Sequence, residues 1–256
     1  MLKAYLNHLI KAKTAYSLHS PFVFDLYTRC IRNSESLGGF RSVENLRSSL
    51  LRQHDTIEVT DLGAGSRKNK QTLRKISAIA RHSMSPRKVS ELLFRLVAYF
   101  QAEHILELGT SLGVNTLYLA KGQPLAEVTT LEGCPNIASI ARQNFKHQEI
   151  DHIQLIEGNI DHTLPDFLDD TPTLDFVFLD ANHQEAPTLR YFEQCLAKAH
   201  EYSLFVLDDI YWSPGMQRAW KQIQEHPQVT LTIDLFRVGL VFFRNKQPKQ
   251  HFKLRF

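Results

Sequence analysis

The sequence predicts an α/β fold: a Rossmann-like, doubly wound sheet of seven strands with an antiparallel last strand, preceded by a mainly helical N-terminal extension. Three observations carry that expectation. From about residue 104, short apolar runs alternate with stretches of helical periodicity. The runs are a few residues long and apolar-rich, as strands covered on both faces of a parallel sheet should be. The last two runs lie so close together that an antiparallel hairpin is favoured over a crossover.

The runs are "HILEL" (104–108), "EVTTLE" (127–132), "HIQLIE" (152–157), "LDFVFLD" (174–180), "SLFVLDD" (203–209), "VTLTIDLF" (229–236) and "GLVFFR" (239–244). Helical stretches separate the first five. In "APTLRYFEQCLAKA", Leu189, Phe192 and Leu196 recur at i, i+3 and i+7, one face of a helix. Only "RV" stands between the last two runs. The first 82 residues lack this rhythm and read as a helical cap or extension, residues 83–245 as the ligand-binding core, and residues 246–256 as a tail. The clearest helix ahead of the first strand is "SPRKVSELLFRLVAYF". There Ser85 is placed to cap, Pro86 fits the first turn, and Val89, Leu92, Leu93, Leu96, Val97 and Phe100 share a face.

Bulk composition excludes several classes. The chain has 256 residues, 43% hydrophobic and 22% charged, ordinary for a globular α/β protein. No 18-residue apolar run exists, and the first residues lack the apolar core of a signal peptide, so no membrane association is expected. Cys30, Cys134 and Cys195 are far apart with no C-x-x-C spacing, which favours a reduced, cytoplasmic setting over a disulfide scaffold or zinc site. Charge is uneven: residues 1–100 carry 17 Lys and Arg against 7 Asp and Glu, and the segment 67–88 is basic without an acid. Such a segment suits either an anionic partner such as nucleic acid or a solvated face.

Two glycine loops compete for a nucleotide-like ligand, "VTDLGAGSR" (59–67) and "ILELGTSLGVNT" (105–116). In a doubly wound sheet such a ligand sits at the carboxyl ends of the strands, with a glycine turn after the first and a carboxylate for the ribose hydroxyls after the second. The second loop meets that test. It is followed by a helix and by "VTTLEG", which puts Glu132 at a strand end 25 residues after Glu107. The first loop leads into a basic helical stretch with no acid-ended strand, and reads as a turn or lid. The preferred loop is not a dinucleotide fingerprint, because Ser111 stands where the middle glycine would admit pyrophosphate. Glu107 would repel phosphate and suits a cation, such as the amino group of a methionine moiety. A sulfonium cofactor without phosphates fits both features.

"ILELGTSLGVNTLYLA", "LEG", "IEGNID", "FVFLDANH" and "FVLDDIYWSPG" together resemble the successive motifs of class I S-adenosylmethionine-dependent methyltransferases. The E-x-G-x-x-x-G form is similar to the catechol and caffeoyl-CoA O-methyltransferases and to a bacterial group with a D-x-x-H signature. The resemblance covers residues 83–244 and makes the core an S-adenosylmethionine-binding one. It implies that Glu107 and Gly109 hold the methionine end, Thr110, Ser111 and Gly113 line the turn, and Glu132 with Gly133 holds the ribose. It also implies that Gly158, Asn159, Ile160 and Asp161 surround the adenine and that Asp180 lies beside the transferring methyl. In the catechol-type enzymes Asp, Asp and Asn hold Mg2+ at the ends of the fourth and fifth strands. The matching positions are Asp180, Asp208 and Asp209, which makes Mg2+ or another divalent cation an expected second cofactor. The lysine base of those enzymes is replaced by His183, a residue suited to act as a base, to ligate a metal or to be structural. For Asp208 and Asp209 the plain alternative is to cap the helix near "SPGMQRAW".

The expected function is methyl transfer, with oxygen of a small molecule as acceptor. Two alternatives stand beside it: transfer to RNA or a ribosomal component through the basic 67–88 segment, and a non-catalytic cofactor-binding protein. A homodimer is left open.

Overall fold

The computed structural model describes residues 2–33, 38–60, 72–245 and 247–256. Two compact bodies are present: Ser36–Asp170, and the pair of segments Met1–Glu35 and Thr171–Phe256. The helical N-terminal extension is thus shared between them. The "DLGAGS" loop and Arg67–Gln71 lie outside the described residues.

In chain order the elements begin with α1 (Leu2–Lys11) and α2 (Pro21–Leu26), the latter continuing as a π-helical turn (Tyr27–Ile31). Next come α3 (Arg41–Leu50), the short strands β1 (Thr56–Glu58) and β2 (Leu73–Lys75), α4 (Ile76–Ser83) and α5 (Arg87–Phe100). The alternating part is β3 (His104–Leu108), α6 (Val114–Gly122), β4 (Glu127–Glu132), α7 (Pro135–His147), β5 (Ile153–Glu157), α8 (Ile160–Asp170), β6 (Leu174–Leu179), α9 (Glu185–Leu196) and β7 (Ala199–Leu207). The chain closes with α10 (Pro214–Glu225), β8 (Leu231–Asp234), β9 (Gly239–Phe242) and β10 (Gln250–Lys253).

In the first body β3, β4 and β5 pair in parallel, in that order. Ile105, Leu106, Leu108, Val128 and Leu131 are buried, as strands covered on both faces require. The helix α6 is buried along most of its length, consistent with a sequence apolar on every side. The helix α5 packs on it through the stripe Val89, Leu92, Leu93, Leu96 and Val97, each contributing about 1.5–3 kcal/mol by burial. Ser85 does not cap α5, although the sequence suggested it: the cap position is Pro86, with no side-chain cap. The Ser85 hydroxyl accepts instead from Asn115 Nδ2 at 3.0 Å. Arg47 completes this buried set, donating to the Ser85 carbonyl at 2.7 Å and to the Ser90 hydroxyl at 2.9 Å, so α3, α5 and α6 are bonded as well as packed.

In the second body β6 and β7 are parallel, while β9 runs antiparallel to both β7 and β8. The α/β architecture with mainly parallel strands and an antiparallel member near the chain end is the one the sequence predicted. Two features go beyond it. Residues 250–253, expected within a tail, form β10 parallel to β8. The strand β7 starts at Ala199 rather than Ser203, because a register irregularity between Leu174 and Phe176 admits the polar "AHEY" start. There His200 Nε2 bonds Asp175 at 2.8 Å.

The hairpin turn is longer than the two residues read from the sequence. It spans Leu235–Val238, closed by the Leu235 amide donating to the Val238 carbonyl at 3.0 Å. A buried polar group anchors it. Asp234 accepts from Tyr211 at 2.6 Å and from the Phe236 amide at 2.9 Å, and its carboxylate lies 3.1 Å from His8 Nε2 on α1. Lys253 Nζ stands 3.2 Å from the same carboxylate. Burial alone would raise the Asp234 carboxyl, but these partners together hold it below its ordinary value. No helix among the described residues is long and apolar enough to cross a membrane. Within the described part of the basic segment, Arg87 is paired with Glu91 at 2.8 Å.

Candidate active site

The carboxyl ends of β3, β4 and β5 carry three consecutive loops of the first body, and every residue expected to touch the cofactor, Asp180 apart, is on them or in the first turn of α6 or α8. Glu107 is fully buried on β3. Its Oε2 accepts from Thr130 at 2.7 Å and from Thr116. Its Oε1 is buried with no hydrogen-bond partner among the described residues. Burial pushes this carboxyl up to about 7, against the two hydroxyl bonds that pull it down. A buried acceptor left unsatisfied costs about 1–3 kcal/mol, so Oε1 has the capacity to take a further donor.

The turn after β3 is shaped by left-handed backbone. Gly109 has φ 98° and Ser111 φ 49°. The Gly109 and Thr110 amides both donate to the Leu131 carbonyl, at 3.0 and 3.2 Å, and the Thr110 hydroxyl lies 2.6 Å from that of Thr130. Glu132 clamps the same turn: its carboxylate accepts from the Ser111 amide at 2.8 Å and the Cys134 amide at 2.9 Å. Burial raises the Glu132 carboxyl, while the amides of Cys134, Ser111 and Gly133 lower it. An ionised carboxylate has about four acceptor positions, so capacity for further donors remains. After β5, the Gly158 amide donates to the Glu132 carbonyl at 2.9 Å, and Asn159 Oδ1 accepts from the Asp161 amide at 3.0 Å. Ile160 and Asp161 form the first turn of α8.

Gly113 has a different reason to be glycine. Its φ is 80°, and a Cβ built there would stand 2.4 Å from the Phe145 ring of α7. The space is used for helix packing. Gly113→Ala is therefore expected to destabilise the protein by about 2–4 kcal/mol, from left-handed strain plus overpacking. Urea denaturation would measure this, and Phe145→Leu in the same background should recover part of the loss. Equal stabilities for Gly113→Ala and wild type would show that the ring yields freely.

The second body carries the acidic residues. Asp180 and His183 follow β6, and His183 Nε2 lies 3.5 Å from Asp180 Oδ1. Asn182 and His183 are both left-handed, at φ 64° and 47°, a conformation that costs non-glycine residues free energy and clusters at functional sites. Asn182 Oδ1 and His183 Nδ1 are buried without hydrogen-bond partners among the described residues. Asp208 and Asp209 follow β7, Asp208 almost wholly buried and Asp209 left-handed at φ 52°. Neither caps α10, whose cap is Ser213, accepting from the Met216 amide at 3.1 Å.

Sequence reasoning missed Arg237. From the hairpin turn its Nη2 reaches Asp208 Oδ2 at 3.1 Å and Asp209 Oδ1 at 3.4 Å. Burial alone would lower its pKa, but Asp208, Asp209 and Asp180 more than offset this and hold it above its ordinary value. Burial, then Asp208, raise the Asp209 carboxyl, with Arg237 and His183 acting against them. The missing signal was register: Leu207 pairs with Gly239, so the antiparallel ladder extended two residues sets Asp209 opposite Arg237. At Asp208 and Asp209, two of the three residues expected to hold a divalent cation, a guanidinium supplies positive charge. Among the described residues no three His, Cys, Asp or Glu side chains are grouped to hold a metal, and the guanidinium engages one oxygen of each of the two carboxylates.

A buried acid beneath a glycine turn, followed by an acid-ended second strand on parallel strands, is the arrangement the sequence led one to expect for a nucleotide-type ligand without phosphates. The chain matches the family model of a methyltransferase domain over residues 106–210. It is 28% identical over 156 residues to a catechol O-methyltransferase of Mycobacterium tuberculosis (strain ATCC 25618 / H37Rv), covering 56% of this chain and 69% of that protein. A catechol O-methyltransferase of Niastella koreensis is 30% identical over 131 residues, covering 50% of this chain and 58% of the relative. In fold it is similar to an O-methyltransferase from Bacillus cereus solved in complex with SAH, at a TM-score of 0.55 and 23% identity, over 63% of this chain and 83% of the other.

Proposed function

We propose that this chain moves a methyl group from S-adenosylmethionine to an oxygen of a small-molecule acceptor. The observation that carries the reading is the buried Glu107 Oε1 beneath the Gly109 turn, without a hydrogen-bond partner among the described residues, with Glu132 at the end of the next strand. The similarity to catechol O-methyltransferases supports the oxygen acceptor. S-adenosylmethionine supplies a methyl carbon on a sulfonium, open to in-line displacement.

Everything else falls to the chain. Glu107 Oε1 accepts a hydrogen bond from the amino group of the methionine end. Gly109, Thr110 and Ser111 keep backbone close to that end. Glu132 holds the ribose hydroxyls, and Gly158, Asn159, Ile160 and Asp161 line the adenine. A hydroxyl acceptor attacks poorly while protonated, so a base is needed. His183 serves: Asp180 stands 3.5 Å from its Nε2, and the neutral ring has a lone pair able to take the proton.

Titration calorimetry with S-adenosylhomocysteine tests the cofactor half, with a nicotinamide dinucleotide as the control. Binding of the former alone, near one per chain, is the expected result. Binding of the dinucleotide alone would overturn it.

A further inference from the structure

The acidic residues of the second body raise a question of charge. Three carboxylates, Asp180, Asp208 and Asp209, follow adjacent parallel strands, and Asp208 is almost wholly buried. Buried carboxylates need a positive partner or must stay protonated. Divalent cations meet such a need with six or more oxygen ligands, taking carboxylate oxygens free of other partners. Here one oxygen each of Asp208 and Asp209 is held by a single guanidinium nitrogen, Nη2 of Arg237.

That guanidinium is fixed from behind. It sits in the β8–β9 turn, and the Arg237 amide donates to the Leu235 carbonyl at 3.0 Å, while the Ile210 amide donates to the Arg237 carbonyl at 3.3 Å. Phe236 stacks on Tyr211 with ring centres 4.9 Å apart, and Asp234 grips the turn through its amide bond to Phe236. The arginine therefore arrives at the carboxylates from a braced turn rather than from a free surface chain. An arginine stays charged at every physiological pH and its planar fork matches carboxylates.

We propose that Arg237 is the resident cation of this acidic cluster, so that methyl transfer by this chain proceeds without a divalent metal. The inference rests on the methyltransferase reading for its consequence, but its test does not. With Arg237 in place, one oxygen each of Asp208 and Asp209 is engaged, and the positive charge that a Mg2+ or Mn2+ ion would bring to them is already present. Asp208 Oδ1, buried without a hydrogen-bond partner among the described residues, points to the cost of removing the arginine: the cluster would then demand another cation.

The experiment is a direct titration of the purified full chain with Mn2+, read by the electron-spin signal of the free ion, with no cofactor or acceptor present. Wild type is expected to bind no Mn2+ specifically. Arg237→Gln, confirmed as folded by circular dichroism, is expected to bind it at least about tenfold more tightly than wild type, because two carboxylates are released. Tight binding by wild type, one ion per chain and lost in Asp208→Asn, would overturn the proposal. So would equal indifference of wild type and a folded Arg237→Gln, since Arg237 would then not be what fills the place. Should Arg237→Gln not fold, the wild-type and Asp208→Asn titrations decide alone. Failure of S-adenosylhomocysteine to bind would overturn the functional reading and leave these outcomes intact.

Discussion

Replacing His183 with alanine is expected to lower turnover by about 10²–10⁴-fold while leaving S-adenosylhomocysteine affinity within about twofold of wild type. The expectation comes from three features at one place: the 3.5 Å approach of Nε2 to Asp180, the buried Nδ1 without a hydrogen-bond partner among the described residues, and the left-handed backbone at both Asn182 and His183. Two successive non-glycine residues in that region are expensive, and a purely structural histidine would not need them. Steady-state kinetics with a saturating acceptor reads the effect as a fall in kcat. His183→Asn, which keeps a polar side chain but cannot take the proton, should be as impaired as alanine. Recovery of activity in His183→Asn would show that the residue only fills space.

The second large effect concerns Glu107, where function and stability pull apart. Its carboxyl moves from an ordinary 4.5 up to about 7 on folding, through burial first of all. The native state thus keeps a proton that the unfolded chain has already released. That contribution to stability is complete below about pH 4.5 and is lost as pH rises through about 7, a total of about 3 kcal/mol in the ligand-free protein. Glu107→Gln cannot titrate and should lack this fall. Urea denaturation of both proteins at several pH values between about 4.5 and 8 measures the difference, since other titrating groups are common to both. Parallel curves would mean that Glu107 ionises like an exposed acid.

Cofactor binding should carry the mirror image. An ammonium beside Oε1 favours the carboxylate, so binding near about pH 6 should release a proton and tighten as pH rises toward 8. Glu107→Gln should bind S-adenosylhomocysteine more than about tenfold more weakly, the usual scale for losing one partner of a buried charged pair. The variant is thereby expected to lose ligand affinity and its acid-dependent stability together.

Much of the fold was legible because burial on both faces leaves an unmistakable mark. The strands β3 and β4 fall where "HILEL" and "EVTTLE" stand, and β5, β6, β8 and β9 differ from their runs only at the ends. What escaped had little apolar pattern to show. The strands β1 and β2 are three residues each and partly exposed, and β10, "QHFK", gains its place only by pairing with β8. The start of β7 is polar because of a register irregularity that no single-strand pattern records. Glu107 and Glu132 could be chosen from spacing, but their division of labour could not: Glu132 clamps amides of the loops after β3 and β4, whereas one oxygen of Glu107 has no hydrogen-bond partner among the described residues. Gly113 could be chosen as a turn glycine, but its close packing against Phe145 could not be read, because Phe145 is 32 residues away in sequence and on another helix. Arg237 was invisible for the same reason, since its meaning depends on strand register.

The pairing of His8 with Asp234 sets a timetable for the ribosome. The two residues are 226 positions apart, so at about 5–20 residues per second His8 waits roughly 10–45 s for its partner to be synthesised. Lys13 waits longer still, because its amide and carbonyl are bonded to Lys253 and Arg255. Meanwhile Ser36–Asp170 is contiguous and has all its own strands and helices in hand. The order of completion is therefore the reverse of the order of synthesis: α1 is made before Ser36–Asp170, yet His8 meets Asp234 only after that body is complete.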